Sequence, residues 1–336
     1  MSANDAAVLI RGAGIAANCC AHLLNQAGVK VNVEAVARPA VPAILLSETA
    51  LALMRNVFSR PDLFAGKARI DRRVVFWGAR DPVIVPHSAV VVSEDDLEAA
   101  FGNELSSAPG VANTFTIHTA RPFPAGAPRS FGDRRATATQ IHLKHPEDRS
   151  TCLIEAVEEG WLFLLPSAPD SGWLLAVGET AETLLRQSRQ IAQRIVLSDR
   201  SSSAFMTSPR LHSPLQGGDW LACGTAAVSF DPICGDGSAM AVREAILASA
   251  VLVSMRDGDD SEALLAHYQS MLIATMRKHL RLCSTFYESG GRSDWWSKQL
   301  VAISEGFDWC SSELAAAPEP RYALQGFRLV LRDSVS

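Results

Sequence analysis

Residues 6–34 read AAVLIRGAGIAANCCAHLLNQAGVKVNVE, and this stretch decides the fold class of the chain. A buried-strand pattern over Ala6–Ile10 leads into a glycine-rich turn, and a helical stretch follows to about Ala27. A second apolar run, Val29–Val33, ends at Glu34. Strand, G-x-G-x-x-A turn, helix, strand and acid, in this order, form the dinucleotide-binding fingerprint. The alternative is a glycine-rich turn that holds no ligand.

Each small residue of this turn has a physical role in holding a dinucleotide. Gly12 permits the tight turn, and Gly14 lets a pyrophosphate approach the backbone at a helix N-terminus. Ala17 keeps the helix close to the sheet, and Glu34, 20 residues after Gly14, can accept hydrogen bonds from a ribose. The predicted cofactor-binding residues of this half are Gly12, Gly14, Ile15, Ala16, Ala17 and Glu34.

A second stretch of the same character lies late in the chain, where residues 217–249 read GGDWLACGTAAVSFDPICGDGSAMAVREAILAS. A short apolar run (Trp220–Cys223) ends at a glycine, a loop with Asp231 and Pro232 follows, and a long stretch of small residues begins near Gly237. The pattern indicates a strand, a tight loop and a helix N-terminus, where backbone N–H groups can face a polar ligand. The alternative is an ordinary buried strand–turn–helix unit.

The bulk composition is that of an ordinary globular protein, and it argues against several kinds of partner. At 336 residues the chain suits two interlocked domains, and a net charge of −5 gives no reason to expect nucleic acid. No apolar run approaches the roughly 18 residues of a membrane span, and the first residues carry neither a basic region nor a cleavage signal. We therefore predict a cytoplasmic protein that binds neither nucleic acid nor membrane.

The seven cysteines show no C-x-x-C pair and no metal-ligand spacing. Their odd number, with Cys19 and Cys20 adjacent, fits a reduced intracellular chain, and we predict no metal site. Cys234 is expected to be a small buried residue and not a redox thiol. Surface or packing roles are expected for the scattered histidines His87, His118, His142 and His145.

Turn residues and hydrophobic periodicity divide the rest of the chain into elements. Helices are predicted at Ser47–Phe58, Ser93–Leu105, Glu182–Leu197, Ser238–Met255 and Glu262–Tyr287. Strands are predicted at Arg73–Trp77, Val83–Pro86, Ala136–Leu143, Thr151–Ala156, Gly160–Leu165 and Gly172–Val177. Two segments rich in proline, glycine or arginine, Arg38–Leu46 and Val111–Arg135, are predicted to be loops.

This order of elements predicts an α/β protein in which a sheet interrupts a nucleotide-binding domain. We predict a Rossmann-like domain in two parts, residues 1–120 and 201–260, with an inserted antiparallel β-sheet substrate domain at 121–200. Residues 261–336 are predicted to form a C-terminal helical region, in which Trp295, Trp296 and Trp309 pack as a cap.

Three motifs resemble those of the FAD-dependent monooxygenase superfamily of the aromatic-hydroxylase type, in particular its flavin-dependent tryptophan halogenase-like branch. They are GAGIAA with Glu34, the helix start Leu46-Ser47-Glu48-Thr49, and Gly160-Trp161-Leu162-Phe163-Leu164-Leu165-Pro166, which is similar to the G-W-x-W-x-I-P signature. That branch includes flavoproteins that modify tryptophan within a partner protein. The resemblance implies that the dinucleotide is FAD, and that Trp161 and Phe163 pack between the domains beside the flavin.

Residues 224–238, called the late loop below, then resemble the family pattern G-D-A-A followed by D-P-x-x-G-x-G. This implies that the flavin-facing residues are Gly224, Thr225, Asp231, Pro232, Gly235, Gly237 and Ser238. Backbone N–H groups at the helix start would stabilise negative charge on reduced flavin. One position departs from the family, because Thr225 stands where the family has the aspartate that holds the ribityl chain.

The resemblance implies a monooxygenase that oxidises an aromatic, indole-like group through a flavin C4a-hydroperoxide, on a small molecule or on a tryptophan of a partner protein. This chemistry asks for a dry pocket more than for catalytic side chains, so no catalytic residue is assigned. The nicotinamide-associated D-G motif is not recognisable near Ala120 and Arg121, which favours a separate flavin reductase. Lys67 is no clean match to the halogenases' catalytic lysine, which makes halogenation the less favoured reaction.

A hypothesis from a different class stays open. Two features also fit a degenerate FAD fold. One is Thr225, and the other is the absence of the family's arginine near position 94, where the stretch VVVSEDDLEAAF carries acids. Such a protein would be a binding or scaffold protein that holds FAD weakly or not at all.

Overall fold

The computed structural model describes residues 7–37, 40–78, 81–102, 112–198 and 203–332 of the chain. The helices are α1 (Ile15–Gln26), α2 (Glu48–Val57), α3 (Glu94–Phe101), α4 (Ala181–Gln187), α5 (Gly237–Arg256), α6 (Ser261–Gly290) and α7 (Asp294–Ala316). The first ten strands are β1 (Ala7–Arg11), β2 (Lys30–Glu34), β3 (Ile44–Ser47), β4 (Ala68–Phe76), β5 (Val83–Val92), β6 (Asn113–His118), β7 (Ala127–Ser130), β8 (Arg135–Leu143), β9 (Thr151–Val157) and β10 (Gly160–Pro166). The others are β11 (Ser171–Gly178), β12 (Ile195–Leu197), β13 (Ser203–Met206), β14 (Arg210–Ser213), β15 (Gln216–Gly217), β16 (Trp220–Ala222), β17 (Val228–Ser229), β18 (Tyr322–Gln325) and β19 (Arg328–Leu331).

The half of the chain that is predicted to bind a nucleotide contains a sheet in the order β15-β16-β6-β1-β2 among the described strands. β1 pairs in parallel with both β2 and β6, and β16 pairs in parallel with β6. The sequence predictions for β1, α1 and β2 are confirmed to within one residue at each end. The returning strand β16 brings the late loop to the same edge of the sheet as the glycine-rich turn.

The loop predicted at Val111–Arg135 is wrong, although Val111 itself lies outside the described residues. β6 forms the centre of the parallel sheet, and β7 pairs with β14. Phe115 and Ile117 of β6 are buried and alternate with threonines, which is the pattern of a strand. The proline and glycine content of residues 120–135 dominates any longer window and hides this short run.

The second sheet has the order β12-β8-β11-β10-β9-β4-β5-β3, and β13 pairs with β8. β9, β10 and β11 pair antiparallel in chain order and confirm three strands of the predicted meander. β8 departs from the prediction, because it pairs antiparallel with β11 and not with β9 among the described strands. The loop predicted at Arg38–Leu46 is wrong in its last part, because Ile44–Ser47 pairs antiparallel with β5. β4 pairs in parallel with β9, so strands from both sides of residue 121 share this sheet. The predicted domain bounds stay a prediction.

The helix predicted at Glu182–Leu197 is correct only as far as Gln187, where α4 ends. Glu155 of β9 is buried, and its carboxylate accepts the backbone N–H groups of Arg189, Gln190 and Ile191 at 2.7–3.1 Å. These N–H groups therefore bond to a distant side chain and not to the carbonyls of a preceding helical turn. The chain leaves the helix and continues into β12.

Packing of the helices follows from the small residues of α1 and α5. α1 presents alanines and cysteines to α5, and the Cys20 thiol lies 3.8 Å from the Ala245 carbonyl oxygen. α5 is long and apolar enough to cross a membrane, but 72% of its apolar window is buried inside the protein, as in a core helix. The predicted C-terminal helical region is confirmed by α6 and α7, while the hairpin β18–β19 was not predicted.

Candidate cofactor-binding site

The carboxyl ends of the parallel strands bring the two glycine loops together. The Gly12 N–H donates to the Glu34 carbonyl at 2.9 Å, and the Thr119 N–H after β6 donates to the Arg11 carbonyl at 2.8 Å. The Cys223 N–H after β16 donates to the His118 carbonyl at 2.9 Å. This edge of a parallel sheet is where open α/β folds bind their ligands.

Two glycines set how closely the loops approach their neighbours. Gly12 has φ +138°, and a Cβ there would collide with Thr119 Oγ1. Gly224 has φ +74°, and a Cβ there would lie 2.8 Å from Ala16 Cβ. The late loop therefore contacts the start of α1 directly, and a larger residue at either glycine would push the loops apart.

The helix starts at this edge differ from most others in the described part of the chain. A side-chain oxygen caps α2, α3, α4 and α6, from Ser47, Ser93, Thr180 and Asp260 respectively. α1, which starts after Gly14 with Ile15, Ala16 and Ala17, and α5, which starts at Gly237 and Ser238, have no such cap among the described residues, and neither does α7. Uncapped N–H groups at a helix start suit an anion such as a pyrophosphate.

Space is available at the start of α5. A Cβ built on Gly237 would have no described atom within 4 Å, apart from its own chain neighbours and helix backbone. Gly235 has φ +63°, and a Cβ there would lie 3.2 Å from an Arg73 guanidinium nitrogen. Arg73 of β4 therefore lies against the loop, and it also contacts His87 at 3.0 Å. Burial lowers the pKa of His87, and Arg73 lowers it further.

Glu34 lies at the end of β2, where the fingerprint predicts it. Its carboxylate forms an ion pair with Arg11 Nε at 3.0 Å, and the Glu34 side chain is 53% exposed. The Arg11 guanidinium also donates to the Pro122 carbonyl at 3.4 Å. An exposed ion pair of this kind contributes little to stability, so Glu34 can exchange Arg11 for a ligand hydroxyl at little cost.

Asp231 occupies a fully buried polar network. Its carboxylate lies 3.2 Å from Arg134 Nε and accepts the Tyr287 hydroxyl at 2.8 Å, and its Oδ1 accepts the Ile233 N–H at 3.0 Å. Trp161 Nε1 donates to the Tyr287 oxygen at 3.3 Å. Burial disfavours the charge of Arg134, but Tyr287 and Asp231 outweigh it and raise the pKa of Arg134. The Asp231 carboxylate is thus engaged by the protein itself.

Glu244, on the second turn of α5, is a further buried acid of the late loop. It accepts the Gly224 N–H at 2.8 Å. Burial raises the pKa of Glu244 to about 8, and the Gly224 hydrogen bond only partly opposes this. The carboxyl group is therefore largely protonated at neutral pH, and it holds the turn that contacts Ala16. Thr225, the next residue of that turn, is exposed, and Pro232 is half-buried.

Other residues considered in the sequence have packing roles. Trp161 is 1% exposed and makes an edge-to-face contact with Trp77, with the ring centres 6.4 Å apart. Phe163 is half-buried. Lys67 Nζ lies 2.5 Å from Asp96 Oδ1 at the start of α3, so its ammonium group is already paired.

Three side chains of this region lie close together, although Cys234 is far in sequence from His279 and Cys283. Cys234 Sγ lies 3.8 Å from Cys283 Sγ, and Cys283 Sγ lies 3.2 Å from His279 Nε2. The same His279 nitrogen accepts the Asp231 N–H at 2.8 Å. Arg134, Tyr287, Glu244 and this cluster were all missed from the sequence. Only the i, i+4 spacing of His279 and Cys283 on one helix is a local signal for them.

The two-sheet arrangement, with a returning strand beside the dinucleotide turn, is the fold of FAD-dependent monooxygenases and flavin-dependent halogenases. The resemblance predicted from the three motifs is confirmed at this level. No protein-family model and no curated protein sequence matches the chain.

Individual solved structures give the extent of the likeness. The peptidyl tryptophan dihydroxylase QhpG, essential for tryptophylquinone cofactor biogenesis, is 17% identical with a TM-score of 0.74, over 88% of this chain and 78% of that one. The flavin-dependent halogenase CmlS is 16% identical with a TM-score of 0.74, over 95% and 74% of the two chains. The probable FAD-dependent monooxygenase pqsL from Pseudomonas aeruginosa is 14% identical with a TM-score of 0.65, over 89% and 99%.

Proposed function

We propose that this chain is an FAD-dependent oxidoreductase, a monooxygenase that acts on an aromatic, indole-like group. The observation that carries the proposal is the pairing of two uncapped helix starts, those of α1 and α5, at the carboxyl edge of one parallel sheet. One start suits the pyrophosphate of a dinucleotide, and the other suits a second electron-rich group of the same ligand. FAD carries both groups in one molecule.

The proposed contacts follow the two loops. Gly12, Gly14 and the first turn of α1, Ile15 to Ala17, would hold the pyrophosphate, while Glu34 would accept hydrogen bonds from the ribose. Gly224 and Thr225 would pass along the ribityl chain, and Pro232, Gly235, Gly237 and Ser238 would line the flavin ring. Asp231 would fix the conformation of this loop and would not itself contact the flavin, because its carboxylate is bonded to Arg134 and Tyr287.

The chemistry divides between cofactor and protein. When bound, reduced FAD would supply the activation of dioxygen, by the hydroperoxide route that the resemblance predicts. The N-terminus of α5 would place positive potential beside the flavin ring, and the aromatic packing around Trp161 would exclude water from this side of the site. Arg73, which lies against Gly235, would add a positive charge near the same loop.

The substrate class is proposed from the fold neighbours and from the chain's own features. QhpG, of matching fold, is a peptidyl tryptophan dihydroxylase, which favours a tryptophan of a partner protein or a small indole as the substrate. Halogenation is the less favoured reaction, because Lys67 is no clean match to the halogenases' catalytic lysine. A separate flavin reductase is the proposed electron source, and the seven free cysteines agree with a cytoplasmic location.

A visible absorption spectrum tests the cofactor. The purified chain, mixed with excess FAD and desalted, should keep a flavin spectrum, and FAD should raise its melting temperature. FMN, which lacks the adenosine half, is the matched control ligand and should give a much smaller shift, because Gly12, Gly14 and Glu34 would have no partner. A colourless protein with the same melting temperature in FAD, FMN and buffer would contradict the proposal.

The alternative is a scaffold protein that retains the fold without the cofactor. Two observations favour it: Asp231 is bonded internally, and Thr225 cannot offer a charge to the ribityl chain. The same spectrum separates the two functions. A reduced-FAD turnover assay with free indole and with tryptophan-containing peptides then separates oxygen insertion from halide insertion by the mass gained.

A further inference from the structure

The cysteine cluster beside the late loop places two thiols in contact. Cys234 ends the short 3-10 turn Pro232–Cys234, and Cys283 lies on α6. Their Sγ atoms are 3.8 Å apart, so one rotation or a small movement of the turn brings them to the roughly 2 Å of a disulfide bond. Both cysteines are free in the structure, and Cys234 is the less buried of the two.

We propose that Cys234 is a modification site for hydroperoxides, and that its oxidation closes a reversible disulfide with Cys283. This differs from the sequence prediction, which made Cys234 a buried residue without redox chemistry. A thiol that reacts in this way needs thiolate character, access, and a resolving cysteine within reach.

The surroundings of Cys234 supply the thiolate. A hydrogen bond from the Cys283 thiol lowers the pKa of Cys234 to about 6, with a further contribution from His279, while burial and the nearby Asp231 oppose the shift. The hydrogen bond from Cys283 therefore favours the thiolate form of Cys234. Elsewhere in the described chain, burial raises the pKa of Cys19, Cys152 and Cys310, which keeps those thiols protonated and unreactive.

The reaction balances with hydrogen peroxide as the oxidant. The Cys234 thiolate attacks one peroxide oxygen, the O–O bond breaks, and the leaving hydroxide takes a proton to become water. The Cys283 sulfur then attacks the sulfenic acid, and hydroxide leaves as a second water with the proton from the Cys283 thiol. The two thiols lose two electrons, which reduce one peroxide molecule.

A consequence for the cofactor rests on the proposed function. Cys234 lies between Asp231 and Gly235, in the loop proposed to line the flavin, so a disulfide would tie this loop to α6. Hydrogen peroxide is the product released when reduced flavin reacts with oxygen without a substrate. The thiol pair would therefore sense unproductive turnover at the place where it occurs, and we expect the disulfide to weaken FAD binding.

A soft metal ion is the competing use of the same atoms. Ligand atoms of Cys234, His279 and Cys283 all lie within 4.8 Å of one another. His279 Nε2, however, already accepts the Asp231 N–H at 2.8 Å, and a metal bond there would leave that buried N–H without its partner. The hydrogen bonding therefore favours the thiol chemistry over metal binding.

Mass spectrometry of the full chain tests the proposal without any cofactor. The reduced protein is treated with hydrogen peroxide at neutral pH, and the expected product has lost two hydrogens, regains them with dithiothreitol, and yields a linked Cys234–Cys283 peptide. The variant Cys283→Ser should form no disulfide, and its Cys234 sulfenic acid should react with a dimedone reagent. Cys310→Ser is the matched control, because the pKa of Cys310 is raised to about 12, and it should behave as the wild type does.

Three results would overturn the proposal. They are the absence of the linked peptide in the oxidised wild type, oxidation of Cys234 no faster than that of Cys310, and one metal ion per purified chain that blocks both thiols until it is chelated. FAD titration of the reduced and oxidised wild type then measures the consequence, and we expect binding at least about fivefold weaker after oxidation. Equal affinities would overturn the regulatory consequence, whereas FAD binding by neither form would contradict the proposed function and leave the disulfide in place.

Discussion

The two glycine loops at the edge of the parallel sheet are built in opposite ways. The first, Gly12 to Ala17, is held by backbone hydrogen bonds, such as that from the Gly12 N–H to the Glu34 carbonyl, and no described side chain caps the helix that follows it. The second, Gly224 to Gly237, is held by side chains from other elements, since Glu244, Arg134, Tyr287 and His279 bond to it. The first loop is thus held by backbone bonds and leaves its helix start open to a ligand, whereas the second is held by side chains whose polar groups bond to one another.

The largest effect is expected where the second loop depends on a buried charge. Asp231→Asn removes the only charge within hydrogen-bond distance of Arg134 among the described residues, while keeping the shape of the side chain. We expect the free energy of unfolding to fall by about 3–5 kcal/mol, because Arg134 is left buried and uncompensated. Urea denaturation measures this value. Asp133→Asn, which breaks the exposed pair with Lys298, is the control, and a loss of less than about 1 kcal/mol is expected there. Equal losses in the two variants would contradict the account.

Glu244 should make the second loop sensitive to pH. Its pKa in the folded protein is about 8, against an ordinary 4.5, so between these values the folded state binds the extra proton. Stability is then fully present below pH 4.5 and falls as the pH rises towards 8, at about 1.4 kcal/mol per unit. Between pH 5 and pH 7 the loss amounts to about 2.5 kcal/mol.

The variant Glu244→Gln removes this titration and keeps an oxygen to accept the Gly224 N–H. We expect its free energy of unfolding, measured in urea at pH 5, 6, 7 and 8, to decline less steeply than that of the wild type. Glu179→Gln, at an exposed position before α4, should keep the wild-type slope. Parallel curves for all three proteins would show that Glu244 titrates normally.

The first loop should respond through ligand affinity, with little change in stability. Glu34→Gln is expected to weaken FAD binding about tenfold, since it loses the charge that strengthens the hydrogen bonds to the ribose. The exposed ion pair with Arg11 predicts a change in unfolding free energy below about 1 kcal/mol. Fluorescence titration with FAD measures the affinity, and Glu179→Gln again serves as the control. Unchanged affinity would place the adenosine ribose away from β2.

The smallest effect is expected at the one position that departs from the family pattern. Thr225 is exposed at the turn that contacts Ala16, so an aspartate there can reach a ribityl hydroxyl without disturbing the core. We expect Thr225→Asp to tighten FAD binding about threefold by a charge-assisted hydrogen bond, with Thr225→Asn as the uncharged control. Unchanged or weaker binding would mean that this loop does not meet the ribityl chain.

The same contrast explains what the sequence predicts well. Three local structures are confirmed, namely the glycine-rich turn between β1 and α1, the N-cap of α2 at Ser47, and the strand predicted at Gly160–Leu165. Each depends on residues within a few positions of one another. The fold class follows from the order of such local units. The Asp231–Tyr287 hydrogen bond joins residues 56 positions apart, and no hydrophobic periodicity in the sequence indicates it.

The wrong predictions have related physical causes. β6 was hidden because its short apolar pattern lies beside a stretch rich in proline and glycine, yet its two flanking strands make it a central strand. The helix predicted at Glu182–Leu197 ends early because the buried carboxylate of Glu155 accepts the backbone N–H groups of Arg189 and Ile191. In both cases a partner distant in sequence supplies the hydrogen bonds that decide the local structure.

The contact between Gly224 and Ala16 also bears on how the chain folds. The strand that carries Gly224 to this place begins at Trp220, so the ribosome adds about a hundred residues after β6 before β6 gains its second neighbour. Until then β6 has an open edge, which is a hazard for aggregation during synthesis. Contacts of such long sequence separation form slowly. The glycine-rich turn after β1 is thus synthesised before the strand that completes its edge of the sheet. A ligand that binds only when both loops are in place would therefore favour the folded state of the nascent protein.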